Sequence, residues 1–135
     1  RYLPLGFFYG PQVDIYGGYG RYGYGLDTVA GDGLVESTWK GILLGLAGNT
    51  PLTRDFRVNA KIEIIIKPKY GEDVDVHGDE NSATSYQLEF GTNYIYNPIT
   101  TIDGSIRITS NRAQFADSEI HFKDTSLIVG ATFSF

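Results

Sequence analysis

Five charged residues, Arg57, Lys61, Glu63, Glu89 and Arg107, sit inside stretches in which every second residue is apolar. In an extended strand successive side chains point to opposite faces, so these five fall on the polar face of their segments. Charges taken out of water need partners, and two signs on adjacent strands at similar depth can supply them. The chemistry expected of them is a hydrogen-bonded charge network; the alternative is the solvated polar face of a sheet.

Other chemistry is poorly represented. Asp73, Asp75 and Gly78 stand at the first, third and sixth positions of a calcium loop, but His77 and Thr84 occupy positions where such a loop needs oxygen ligands, the last of them bidentate. Asp73 and Asp75 are therefore the nearest approach to a metal site, and no metal or cofactor is expected. His77 and His121 fall in segments read as loops, with Asp117, Ser118 and Glu119 close to His121 in the chain. A hydrolase or acyltransferase would need a Ser–His or Asp–His pair within hydrogen-bond reach, which sequence neighbourhood does not establish. No enzymatic role is expected. The Tyr-Gly run from Tyr16 to Gly25 lacks the Lys-Ser/Thr ending of a phosphate-binding loop.

Composition narrows the field further. The 135 residues contain no Cys, which excludes disulfides, thiolate metal sites and cysteine nucleophiles. Eleven basic against 16 acidic residues, without a basic cluster, argue against nucleic acid as a partner. The longest uncharged apolar stretch, Gly41 to Gly48, is far short of the ~20 residues of a membrane helix. With neither an initial Met nor a basic-then-apolar leader, the sequence is expected to be a mature or trimmed chain forming a single domain over 1–135.

The elements that must carry these residues are strands. Apolar residues recur with period two from Phe56 to Lys67, where Val58, Ile62 and Ile64 oppose Arg57, Asn59, Lys61, Glu63 and Lys67. The same holds from Tyr86 to Tyr96, with Leu88 and Phe90 on the apolar side, around Ile106, and through Leu127 and Val129 to Phe135. Val13 to Leu26 and Val35 to Ala47 are less well phased, and the Tyr-Gly run fits a strand whose glycines admit close neighbours. A break is expected at Gly10-Pro11-Gln12, with residues 1–11 an N-terminal segment or partial strand. Compact turns follow Ala47 and Tyr96, whereas longer acidic connectors are expected near 27–34, 68–85 and 110–125.

Alternation of this kind suits either a soluble sheet, apolar face inward, or a membrane barrel, apolar face toward lipid. The placement of aromatics favours the second. Tyr86 and Tyr96 bound one apolar face, while Phe56, Tyr94, Tyr96, Phe133 and Phe135 gather toward the short-turn end, as in interfacial girdles.

The ending Leu127-Ile-Val-Gly-Ala-Thr-Phe-Ser-Phe135 resembles the C-terminal strand signature of bacterial outer-membrane β-barrel proteins. The short-turn and long-loop asymmetry, with the Gly/Tyr-rich strand near the N-terminus, is similar to the small opacity-protein and attachment-protein barrels over about residues 12 to 135. The resemblance implies an all-β, antiparallel up-and-down transmembrane β-barrel in the bacterial outer membrane. Implied partners are outer-membrane lipid and lipopolysaccharide, the barrel-assembly machinery through the last strand, and a homo-oligomer if several chains close one barrel. The implied role is structural or one of surface recognition and adhesion through the long loops. A porin-like pore in a wider or multi-chain barrel, and a soluble β-sandwich or barrel binding an apolar ligand, are the alternatives. The departure is strand number: about eight strands are expected of a closed single-chain barrel, and six are legible here.

Overall fold

The computed structural model describes residues 1–4, 10–24, 37–72 and 81–134. Six strands, β1 (Gln12–Tyr24), β2 (Ser37–Pro51), β3 (Phe56–Glu72), β4 (Ser82–Asn97), β5 (Thr100–Gln114) and β6 (Glu119–Phe133), form one antiparallel sheet in chain order. Each strand pairs with the next, as an up-and-down meander requires. β1 begins at Gln12, just past Pro11, which has no N–H to contribute to a ladder. Tyr2 bridges Val13 on the outer edge of β1, through hydrogen bonds of 2.6 and 2.8 Å.

The turns have local causes. Between β2 and β3 the Phe56 carbonyl accepts from the amides of Leu52 and Thr53, while Thr53 Oγ1 accepts from the Phe56 amide. Between β4 and β5 the Asn97 side chain accepts from the Ile99 amide at 3.0 Å, an Asx turn prepared by Pro98.

The connector expected at 110–125 is instead a tight hairpin. β5 continues to Gln114 and β6 starts at Glu119, with Phe115 N donating to Ser118 O at 2.9 Å. Ser110, Asn111 and His121 are therefore strand residues. Polar side chains on this stretch find partners across the sheet, so hydropathy misreads it as loop. The 68–85 connector is likewise shorter, because β3 runs to Glu72 and β4 begins at Ser82. The connector at 27–34 lies outside the described residues, as do Asp73, Asp75, His77 and Phe135.

Closure also differs from expectation. Among the described residues there are six strands, not eight, and no ladder joins β1 to β6, so the sheet is open. It is nevertheless strongly curled. Tyr24 of β1 stacks on Phe122 of β6 at a 4.7 Å ring separation and accepts a 2.9 Å hydrogen bond from Asn111 of β5. The face carrying these residues is concave, and its strands approach at the loop end without exchanging backbone hydrogen bonds.

Register assigns every strand residue to a face. Even positions of β1, odd positions of β2, β4 as far as Ile95, and β5, and even positions of β6 turn inward; between Ile95 and Asn97 the β4 register shifts. In β3 the odd residues up to Ile65 turn inward, until a bulge between Lys40 and Ile42 of β2 shifts the register. Lys67, with φ of 46°, takes up the irregularity. The bulge carries Lys67 to the outer surface beside Lys40 and Lys69, so it does not share the face of Lys61 and Glu63 as the alternation implies.

Buried hydrophobics among the described residues are few: Trp39, Ile65, Tyr70, Ala113 and Phe115. Large apolar side chains on the convex face stay open, with Ile42 61%, Phe90 59%, Leu127 76% and Val129 72% exposed. The Tyr-Gly run finds its use on the concave face: Tyr16 lies over Gly45, its register partner, where a Cβ would overlap the phenol ring. Replacing Gly45 by Val should displace that ring and cost roughly 1–3 kcal/mol, measured by urea titration. Val at Gly18, where nothing stands within 4 Å of an added Cβ, should cost clearly less.

Candidate functional site

The concave face is built in three tiers. At the loop end Trp39, Tyr70, Ala113 and Phe115 form a buried cluster against which Tyr24, Ala83, Ile120 and Phe122 pack. Its rings meet mostly edge to face, Trp39 with Tyr70 at 5.0 Å and Tyr70 with Phe115 at 5.3 Å. Its polar atoms are satisfied. Trp39 Nε1 donates to the Arg112 carbonyl at 3.3 Å, Tyr70 and Ser37 hydroxyls share a 3.0 Å hydrogen bond, and Ser85 donates to Asn111 at 2.5 Å.

Glu63 is the hub of the middle tier. Its carboxylate accepts from Tyr16 at 2.9 Å, from Tyr22 at 3.5 Å and from Gln87 at 2.8 Å, and pairs with Lys61 at 3.2 Å. Tyr16 and Tyr22 reach it from β1, across the whole of β2, and Tyr16 does so directly over Gly45, the β2 residue opposite both it and Glu63. Glu89 and Arg107, opposite one another on β4 and β5, form a second pair with two contacts of 2.9 Å. Lys61 is the register partner of Glu89, so opposite charges run side by side across β3, β4 and β5.

The third tier lies at the turn end. Arg57 donates to the Gly10 carbonyl at 3.0 Å and to Asn49, Asn59 donates to Asn93, and Asn93 donates to Asp103. Of the five charges singled out in the sequence, Lys61 with Glu63 and Glu89 with Arg107 are thus adjacent, whereas Arg57 belongs to this separate amide-rich tier. Sequence reasoning missed Tyr16, Tyr22 and Gln87 as partners of Glu63, and the aromatic cluster around Trp39. The phenols lie in a run whose tyrosines read as strand formers and whose glycines read as room for close neighbours, with nothing in it to say what the hydroxyls would reach.

The convex face has the opposite chemistry. Phe56, Tyr94, Tyr96 and Phe133 all lie on it toward the turn end, and Tyr86 lies on it opposite Ile64 and Ser110. Among the described strand residues, charged convex positions occur only toward the loop end: Arg21, Lys40, Lys67, Lys69, Arg112, Glu119 and Lys123, with His121 among them. Arg112 and Glu119 pair at 2.5 Å.

Ser110 Oγ and His121 Nε2 are 3.0 Å apart on this face, the pair that nucleophilic catalysis would require. Ser110 is only 6% exposed, and among the described residues no carboxylate receives the other ring nitrogen of His121. The nearby Glu119 is instead held by Arg112. The contact satisfies a covered hydroxyl and does not assemble a triad. The described residues also contain no cluster of metal-ligating side chains.

Comparison with protein-family models, curated proteins and solved structures gives no match.

Glu63, with its side chain 12% exposed, gathers four side-chain partners. Glu63→Ala, which leaves Lys61 and two phenols without their acceptor, should lower unfolding free energy by about 2–4 kcal/mol. Arg1→Ala, at a solvent-screened surface pair with Asp14 in which Arg1 is 50% exposed, should cost clearly less. Equal losses in urea titrations would contradict the central position assigned to Glu63.

Proposed function

We propose that the chain is an integral β-protein of the bacterial outer membrane, with a structural or surface-recognition role exercised through the connectors at 25–36 and 73–81. One observation carries this. Between the loop-end rim and the turns, the convex positions of all six strands hold no charged side chain, whereas Lys61, Glu63, Glu89, Asp103 and Arg107 all turn to the concave face. In water such a sheet is inside out: burying aliphatic surface contributes about 25 cal/mol per Å², yet this one keeps Ile and Leu exposed and tucks its ions inward. In lipid the same distribution is favourable. The convex aromatics at the turn end suit the headgroup level of one interface.

Lipid requires that the outer edges of β1 and β6 find hydrogen-bond partners. Tyr2 already begins to cover β1, and the rest would come from added strands, either more of the same chain or a second copy. That no ladder joins β1 to β6 among the described residues is also the specific observation that favours the pore alternative, since strands from several chains would widen the lumen. Against it stands the Trp39 cluster, which ties β1, β2, β3 and β6 together across the loop end.

After folding into dodecylphosphocholine micelles, the unboiled chain should run on an SDS gel as a band that shifts on boiling, and planar bilayers containing it should show no conductance steps. Discrete steps would put the pore first. Folding only in the absence of detergent would overturn the membrane assignment.

A further inference from the structure

We infer that Lys40, Lys67 and Lys69, with Arg21 beside them, form a binding site for a phosphate group of lipopolysaccharide on the convex face at the loop end. The site rests on the membrane assignment above and gives it a specific ligand.

Arg21 is directly opposite Lys40, and Lys40 directly opposite Lys69, so three cations lie in one row across β1, β2 and β3. Like charges facing each other on one side of a sheet repel and destabilise it. Among the described residues none of the three has an acidic partner, in contrast to Arg107, Arg112 and Lys61, which are all paired. The bulge adds a fourth cation. It swings Lys67 out of the concave network and beside Lys40 and Lys69, around an open groove of ≈ 460 Å³ also lined by Tyr19, Ile42 and Ile66. A bulge that re-aims a side chain toward a like charge is explained if an anion binds between them.

The groove does not end in water. Toward the turns the convex face continues from Ile42 and Ile66 into an apolar furrow of ≈ 240 Å³ lined by Ile15, Leu44, Leu46, Ile62 and Ile64. Cations above and an aliphatic furrow below match a ligand with an anionic head and hydrocarbon chains, which commits the site to a lipid and not to free phosphate. Lipopolysaccharide carries such phosphates at its sugar-to-acyl boundary, and basic side chains just beyond an apolar band attract anionic headgroups.

The test uses the full chain folded in dodecylphosphocholine, with binding followed by native mass spectrometry and by the urea midpoint. The probes are bisphosphorylated lipid A, dephosphorylated lipid A and inorganic phosphate. Bisphosphorylated lipid A should bind about ten-fold more tightly than the dephosphorylated form, and inorganic phosphate should bind far more weakly than either. The K40Q/K67Q/K69Q variant should lose the discrimination. A K123Q variant, elsewhere on the same rim, should keep it. Relief of repulsion should raise the urea midpoint of K40Q/K67Q/K69Q when no anionic lipid is present and reverse its rank against the wild type when bisphosphorylated lipid A is added, which separates lost binding from lost folding. Equal affinity of the wild type for the two lipids, equal loss in K123Q, or binding of inorganic phosphate as tight as that of the lipid would overturn the site while leaving the membrane assignment standing. Failure of the wild type to fold in detergent would overturn both.

Discussion

The carboxylate of Glu63, held inside a curled sheet, is the constraint on which the rest of the structure depends. An anion facing a concave interior is tolerated only if several donors reach it. Tyr16 and Tyr22 do so from β1, two strands away, and Tyr16 can because Gly45 leaves β2 bare beneath its ring. Curvature, the glycine positions and the polar network are thus one requirement. A flatter sheet would leave Glu63 with Lys61 and Gln87 alone.

Curvature in turn sorts the remaining side chains. With ions and amides bonded to one another on the concave side, the aliphatic residues of the same strands are left on the convex side. There they form a continuous uncharged band bounded by aromatics toward the turns and by cations toward the loops. The two boundaries differ in chemistry: aromatic rings at one end, and six cations with one acid, Glu119, at the other. The aromatic cluster around Trp39 closes the concave side at the loop end, so the interior is packed there by rings and lower down by charge pairs.

Much of this was legible in the residues. The period-two pattern placed Val58, Ile62, Leu88, Phe90 and Ile106 on one face and Lys61, Glu63, Glu89 and Arg107 on the other, and the ladders keep them so. Other parts were not legible, for identifiable reasons. Ser110 to Thr125 reads as loop because polar strand residues whose partners lie on other strands look the same as solvated ones. Lys67 reads as inward because the alternation gives no warning of a bulge that flips the phase of β3 from that residue onward. Arg57 reads as part of the charge network, yet its depth along the strand puts it among asparagines and the Gly10 carbonyl.

The sequence by itself determined the class of structure and the chemistry of its two faces, because a strand's side-chain period is two and any register that preserves the pattern yields the same faces. Only the tertiary structure decided which groups meet: Glu63 with phenols from β1, Tyr24 with Phe122, Lys67 with Lys40 and Lys69. Those contacts depend on curl, register and a single bulge, which arise from many strands acting together and are encoded at no one position.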